Sequence, residues 1–132
     1  MRMMRKLLDS RGTSTLEFVV VLPVLLFVLF SIVELSRAWL TLNLATAAAR
    51  EGVRAGVVAA PGSVSTVGNA KIDGMLGSGN WTGGVSCATN PCASDQVVSA
   101  TVTLQFHTVV PLIMPAMFGT MNITQTATMR YE

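Results

Sequence analysis

Charge is scarce in this chain, and the residues that usually carry chemistry are scarcer. Charged residues fill 12% of the 132 positions, against about 25% in an ordinary soluble domain. One His and two Cys leave no second Cys/His pair to complete a tetrahedral zinc site. The glycines between Gly77 and Gly84 lack the Lys-Ser/Thr of a phosphate loop, and no glycine-rich stretch follows a strand and opens a helix. Nine Lys and Arg against seven Asp and Glu leave a net charge of +2, which excludes nucleic-acid binding driven by bulk charge. His107 falls on the polar side of a strand pattern with no Ser or Cys partner in a motif, so it reads as a surface residue. These residues support no enzyme, cofactor, metal or small-molecule substrate. Disorder is excluded as well, because apolar residues reach 51% and disordered chains show the opposite balance. The length suits one modest domain. What remains is a small, apolar chain that meets a membrane.

The membrane signal lies in the first forty residues. Residues 1–12 form a basic leader with Arg2, Arg5, Lys6 and Arg11 against Asp9 alone. Phe18 to Val33 then runs without a charge. Those residues span only about 24 Å as a helix, short of the roughly 30 Å bilayer core. The span becomes long enough over about residues 16–40. Glu34 and Arg37 then fall near the far interface, paired at i, i+3 or snorkelling, and Trp39 suits the same depth. The basic excess before the span keeps the N-terminus cytoplasmic and sends the rest of the chain outside. The leader holds +3 and the remainder −1, so the net charge is a topology signal.

A cleaved secretory signal would show a small-x-small site close behind the apolar run. Glu34, Leu35, Arg37 and Trp39 stand there instead, and Ala45-Thr46-Ala47 lies too far along. A plain single-pass anchor fits the hydropathy and leaves Glu17 unexplained. A carboxylate at the mouth of an apolar run is expensive and marks a functional site. Gly12 lies five residues before it. Cleavage after Gly12 would free an α-amino group on Thr13 and make Glu17 the fifth residue of the new chain. An amine and a carboxylate at that separation can pair between neighbouring subunits, compensating two charges that are costly in lipid.

Gly12, four residues, then Glu17-Phe18, opening an apolar helix after a short basic leader, resembles a type IV prepilin processing site. The wider segment from Arg11 to Gly56 is similar to the TadE-like family, the pilin-like (pseudopilin) proteins of the tight-adherence, Flp-type pilus system. Glu17-Phe18, Leu22-Pro23, the Glu34 to Arg37 stretch and Ala48-Ala49-Arg50-Glu51-Gly52 carry the likeness. It implies cleavage by a prepilin peptidase between Gly12 and Thr13, and subunit packing through Glu17 and Phe18. It also implies partnership with other pilins or pseudopilins and with the inner-membrane assembly platform. The major pilin of that system is much shorter, so the resemblance implies a minor or priming role.

Strong helix formers continue from Leu40 to Ala60 and stop at Pro61-Gly62. One long helix over residues 13–60 is expected, kinked or loosened at Pro23. Gly52 and Gly56, four apart, are either mild helix wear or a groove where another helix comes close. Ser63 to Leu76 reads as a short second helix, capped by Ser63 with Gly77 just past its end. Leu76 to Ser94 reads as loop. Val98, Ala100, Val102, Leu104 and Phe106 alternate with polar residues, and a weaker alternation follows over Met121–Tyr131, so two antiparallel strands are expected. Their apolar faces need a cover, and the outer half of the long helix is the obvious one. The expected fold is α+β and pilin-like: a membrane-spanning helix continuing outside and packed on a small antiparallel sheet, with residues 61–132 as a small exported domain.

A domain that small is marginal without a staple. Cys87 and Cys92 enclose a turn-prone tetrapeptide and supply one as a disulfide; two free thiols or half a metal site are the alternatives. Val109 to Phe118 is very apolar for a connection, and reads as a cover over the core or as a contact patch. Asn80-Trp81-Thr82 and Asn122-Ile123-Thr124 match the N-glycosylation triplet, a common pattern. Two functions from different classes follow. One is a processed pseudopilin of the bacterial inner membrane with a periplasmic domain, itself an enzyme's substrate. The other is an unprocessed, single-pass anchored accessory or binding protein of a secretion or adhesion apparatus.

Overall fold

A computed structural model of the chain describes residues 10–108 and 120–132, with side chains from residue 15 onward. Only residues 10–12 of the expected leader are described, as helix, and the apolar connection at 109–118 lies outside the described residues. Helix α1 runs Ser10–Val58 and α2 runs Val64–Leu76; strands β1 (Trp81–Cys87), β2 (Val97–His107) and β3 (Thr120–Arg130) follow. The strands form one antiparallel sheet in the order β1-β2-β3. The fold is α+β, a long apolar helix followed by a small antiparallel sheet. The chain divides into two compact units, one ending at Ser36 and one covering Arg37–Glu132.

In the second unit two periodicities meet. Along α1, Ala45, Ala48, Ala49, Gly52, Val53 and Gly56 are buried. Their steps of three and one put them on one helical face. Along β2, Val98, Ala100, Val102, Leu104 and Phe106 are buried at every second position. These two apolar faces, with Val64, Ile72, Val85 and Tyr131, make the core. The opposite sheet face is hydroxyl-rich; Thr103 and Thr124 meet across β2 and β3 at 2.9 Å.

Helix and sheet touch at both ends. The Arg37 guanidinium lies 5.5 Å from the centre of the Phe106 ring, a cation–π distance. At the other end Tyr131 is buried and its hydroxyl donates to the Ala59 carbonyl at 2.8 Å. The Tyr131 N–H donates to Gln96 O at 2.7 Å, tying the end of β3 into the same corner. Lengths explain the match: Arg37–Val58 rises about 33 Å at helical pitch, and an eleven-residue strand such as β2 extends about 36 Å.

The glycines settle the question left open at Gly52 and Gly56. A Cβ on Gly52 would meet the Ile72 side chain at 2.6 Å, and one on Gly56 would meet the Val64 carbonyl oxygen at 3.2 Å. A Cβ on Gly68 of α2 would sit 2.9 Å from the Gly52 carbonyl oxygen and 2.7 Å from Val85. The groove is real, and the helix that fills it is the chain's own α2.

One expectation is corrected. The segment read as loop from Leu76 to Ser94 contains β1, which pairs with β2 from Trp81↔Leu104 to Cys87↔Val98. Gly83 and Gly84 weaken its local strand signal, and Gly83 has φ +119. Tertiary bonds override that weakness: Asn69 Oδ1 accepts the Val85 N–H at 2.8 Å, and the Trp81 indole donates to Asp73 Oδ1 at 2.8 Å. Ser63 precedes α2 as expected but makes no side-chain cap bond; its hydroxyl donates to Ala60 O. Gly77 ends α2 with φ +83, a backbone that suits glycine.

Gly68→Ala should lower the melting temperature of the full chain in detergent. Overpacking costs about 1–3 kcal/mol, more than the roughly 1 kcal/mol gained by removing glycine from a helix. Gly74→Ala is the matched control, since its Cβ would meet nothing within 4 Å, and should melt slightly higher. Equal melting of the two variants would refute the close approach.

Candidate membrane and assembly surface

The first unit presents an apolar surface that no described residue covers. Every side chain from Leu16 to Val33 is exposed, with Leu16 at 69% and Phe18 at 63%. A helix apolar all round is normally buried, in a large core or in a membrane. Here the most apolar stretch of α1 has no residue buried, and the helix is long and apolar enough to cross a membrane. Its hydroxyls are satisfied within the helix. Ser31 Oγ donates to Phe27 O at 2.8 Å and Ser36 Oγ donates to Ile32 O at 2.9 Å. Such back-bonding is what lipid demands of a polar side chain. The helix continues through Pro23, where one ladder donor is missing.

Glu17 lies on this exposed surface beside Phe18, between Leu16 and Val19. Gly12 and Thr13 belong to the backbone of α1 near its start; their side chains lie outside the description. Positions 13 and 17 are four apart in a helix, so they share a face about 6 Å apart along the axis. That arrangement can hold a carboxylate and a new α-amino group on the same side of one helix. It can equally aim both at a neighbouring helix.

In the second unit Cys87 and Cys92 are joined by a disulfide with a Cα separation of 5.8 Å, within the usual range. Cys92 is buried, and its N–H donates to Pro61 O at 2.9 Å. The bridged loop is thereby clipped to the turn between the two helices. His107 is exposed and its Nδ1 lies 3.4 Å from the Thr120 hydroxyl. Among the described residues, no group of three or more His, Cys, Asp or Glu could hold a metal ion. Sequence reasoning missed Gly68, Asn69 and Tyr131 as organising residues. The signal for the first two was a pair of poor helix formers inside a helical pattern.

Residues 12–54 match the family model described as TadE-like protein. The match covers about a third of the chain. It starts at Gly12, includes Glu17 and the apolar stretch, and ends in the small-residue stripe. It agrees with the resemblance carried by those motifs and points to a protein associated with the Tad pilus. No curated protein and no solved structure matches the chain.

The disulfide offers a direct test of the second unit. Replacing Cys87 and Cys92 together by Ser should lower stability under oxidising conditions by about 2 kcal/mol, a short loop giving a modest gain. The check is thermal melting of parent and variant with and without reductant; identical curves would show that the bridge adds nothing.

Proposed function

We propose that this protein is a minor pilin-like component, a pseudopilin, needed for assembly of a Flp-type (Tad) pilus. A prepilin peptidase cuts it between Gly12 and Thr13. The observation that carries this reading is Glu17: a carboxylate on an uncovered apolar helix, five residues after a glycine, inside the TadE-like match. A plain anchor gains nothing from a charge there, and an assembly helix does. The freed Thr13 amine of one subunit offsets Glu17 of the next, and Phe18 packs beside the pair. Two charges that lipid would penalise singly become tolerable together.

The basic leader holds the N-terminus in the cytoplasm, so the helix lies in the bacterial inner membrane and the second unit lies in the periplasm. That compartment permits the Cys87–Cys92 bridge. The chain itself performs no catalysis and is the peptidase's substrate. Its other partners are pilins, pseudopilins and the inner-membrane assembly platform. The rival reading, an unprocessed anchored accessory protein, draws support from the helical backbone at residues 12 and 13, which must unwind before a peptidase can take it.

Two measurements separate these readings. Coexpression with a prepilin peptidase should remove residues 1–12, seen as the intact mass of the purified protein. Gly12→Ala should block that loss; an unchanged mass of the parent in cells that process other prepilins would favour the rival. Glu17→Gln should leave membrane insertion intact and reduce pilus number severely, counted by electron microscopy. Normal piliation in that variant would remove the pairing role.

A further inference from the structure

We infer that the outer edge of β3 is a strand-docking site, where an extended, uncharged segment of another protein adds to the sheet. The sheet has two edges, β1 and β3, and the fold treats them differently. An edge strand carries a row of backbone donors and acceptors that can pair with another chain. On the β1 side α2 answers them: Asn69 Oδ1 takes the Val85 N–H at 2.8 Å. On the β3 side one bond fixes which groups face out. The Tyr131 N–H donates to Gln96 O at 2.7 Å, and this pair continues the register that runs Val97↔Arg130 to His107↔Thr120. Bonded pairs alternate along an antiparallel ladder, so the odd-numbered residues of β3 turn their backbone groups to β2. The even-numbered ones, Asn122, Thr124, Thr126 and Thr128 among them, turn theirs outward. No described residue bonds those outward groups.

The usual protections of an edge are missing from β3 as well. Natural edge strands carry Lys, Pro, an inward charge or a bulge. From Met121 to Met129 there is no charge, no Pro and no Gly, and the register against β2 is unbroken. The side chains then state the chemistry of the occupant. Met121, Ile123 and Met129 pair with the buried Phe106, Leu104 and Val98, yet Met121 is 57% and Met129 41% exposed. A strand added at this edge lays its own apolar side chains against those methionines. Its other face continues the row of Asn122, Thr124, Thr126 and Thr128. The fitting segment therefore alternates apolar residues with Ser or Thr. A charge on its apolar side would be desolvated without a partner. Main-chain bonds give such an addition its affinity and alternate side chains give it specificity.

A second copy of this chain is the competing occupant. Its β1 edge is capped by Asn69, and β3 against β3 in the antiparallel sense would reverse one second unit against the other. The test distinguishes the two, and the edge is the same whether or not residues 1–12 are removed. The probe is a fluorescently labelled peptide with the sequence of residues 97–107, VVSATVTLQFH, the strand that pairs with β3 on its inner side. It alternates apolar and polar residues and holds no Lys, Arg, Asp or Glu. Binding to the full chain in detergent is followed by fluorescence anisotropy, and hydrogen exchange of the β3 amides is measured with and without peptide.

Saturable binding is expected, with slowed exchange at Asn122, Thr124, Thr126 and Thr128. Thr126→Pro should weaken it about tenfold, since an outward N–H is lost and the ladder to β2 is kept. Thr128→Pro is the second variant, readable if the first disturbs folding. A peptide with Asp at the positions of Val102 and Leu104 should not bind. Absence of saturable binding would overturn the proposal. So would binding that leaves exchange at the even-numbered β3 amides unchanged, or that both folded proline variants retain in full. Self-association of the chain that Thr126→Pro abolishes, with no peptide bound, would make a second copy the occupant and overturn it too.

Discussion

Close backbone approach at three glycines is the constraint on which the second unit depends. Gly52 and Gly56 on α1 and Gly68 on α2 leave no room for a side chain where the two helices cross. That crossing lets Val85 of β1 reach between the helices, and β1 then aligns β2 by register. A larger residue at Gly68 would press on the Gly52 carbonyl oxygen and on Val85 and so separate the two helices, whereas one at Gly52 would press first on the Ile72 side chain. Three strands form a small sheet with little area to bury, so this unit has few other contacts to absorb such a shift. The disulfide and the Tyr131–Ala59 bond act on the same corner, where α1 ends and α2 begins. Covalent, polar and packing constraints therefore converge on one helix end.

The same helix obeys two solvation rules along its length. From Leu16 to Val33 its side chains show no periodic polarity, and all are exposed. Beyond Leu40 the small residues recur at helical spacing and are buried, while Arg50 and Arg54 face outward. The change reflects what lies around the helix. Lipid accepts an apolar surface on all sides. Water plus a sheet accepts it on one face only, and small residues allow that face to approach closely. A single continuous α-helix can serve both environments because its backbone bonds are internal.

Much of this was legible in the amino-acid sequence, for identifiable reasons. The apolar run from Phe18 to Val33 was legible because it carries no charge, and Glu34, Leu35, Arg37 and Trp39 behind it set aside a cleaved secretory signal. The strand alternation from Val98 to Phe106 was plain because one face is buried and the other is polar, with Ser99, Thr101, Thr103 and Gln105. β1 was illegible because Trp81-Thr82-Gly83-Gly84 has strand residues at one end and glycines in the middle. Its existence depends on Asn69 and Asp73, which lie in another element. The partner of Gly52 and Gly56 was undecidable for a similar reason: a groove of small residues says that a helix comes near, and only the fold says which. Glu17 stood out at once, since a lone carboxylate in an apolar run conflicts with every local rule.

Conflict of that kind is informative because it has no structural remedy among the described residues. Among the described residues, no ion pair or hydrogen bond involves Glu17, and Leu16 and Phe18 beside it are apolar and exposed. A charge in such a place is tolerated when a partner arrives from outside. The Arg37 guanidinium shows the contrasting solution, since it finds the Phe106 ring inside its own unit. One charge is thus absorbed by the fold, and the other has no partner among the described residues. The two ends of the apolar stretch are therefore chemically distinct: the fold supplies Arg37 with an aromatic partner, and no described residue supplies one to Glu17.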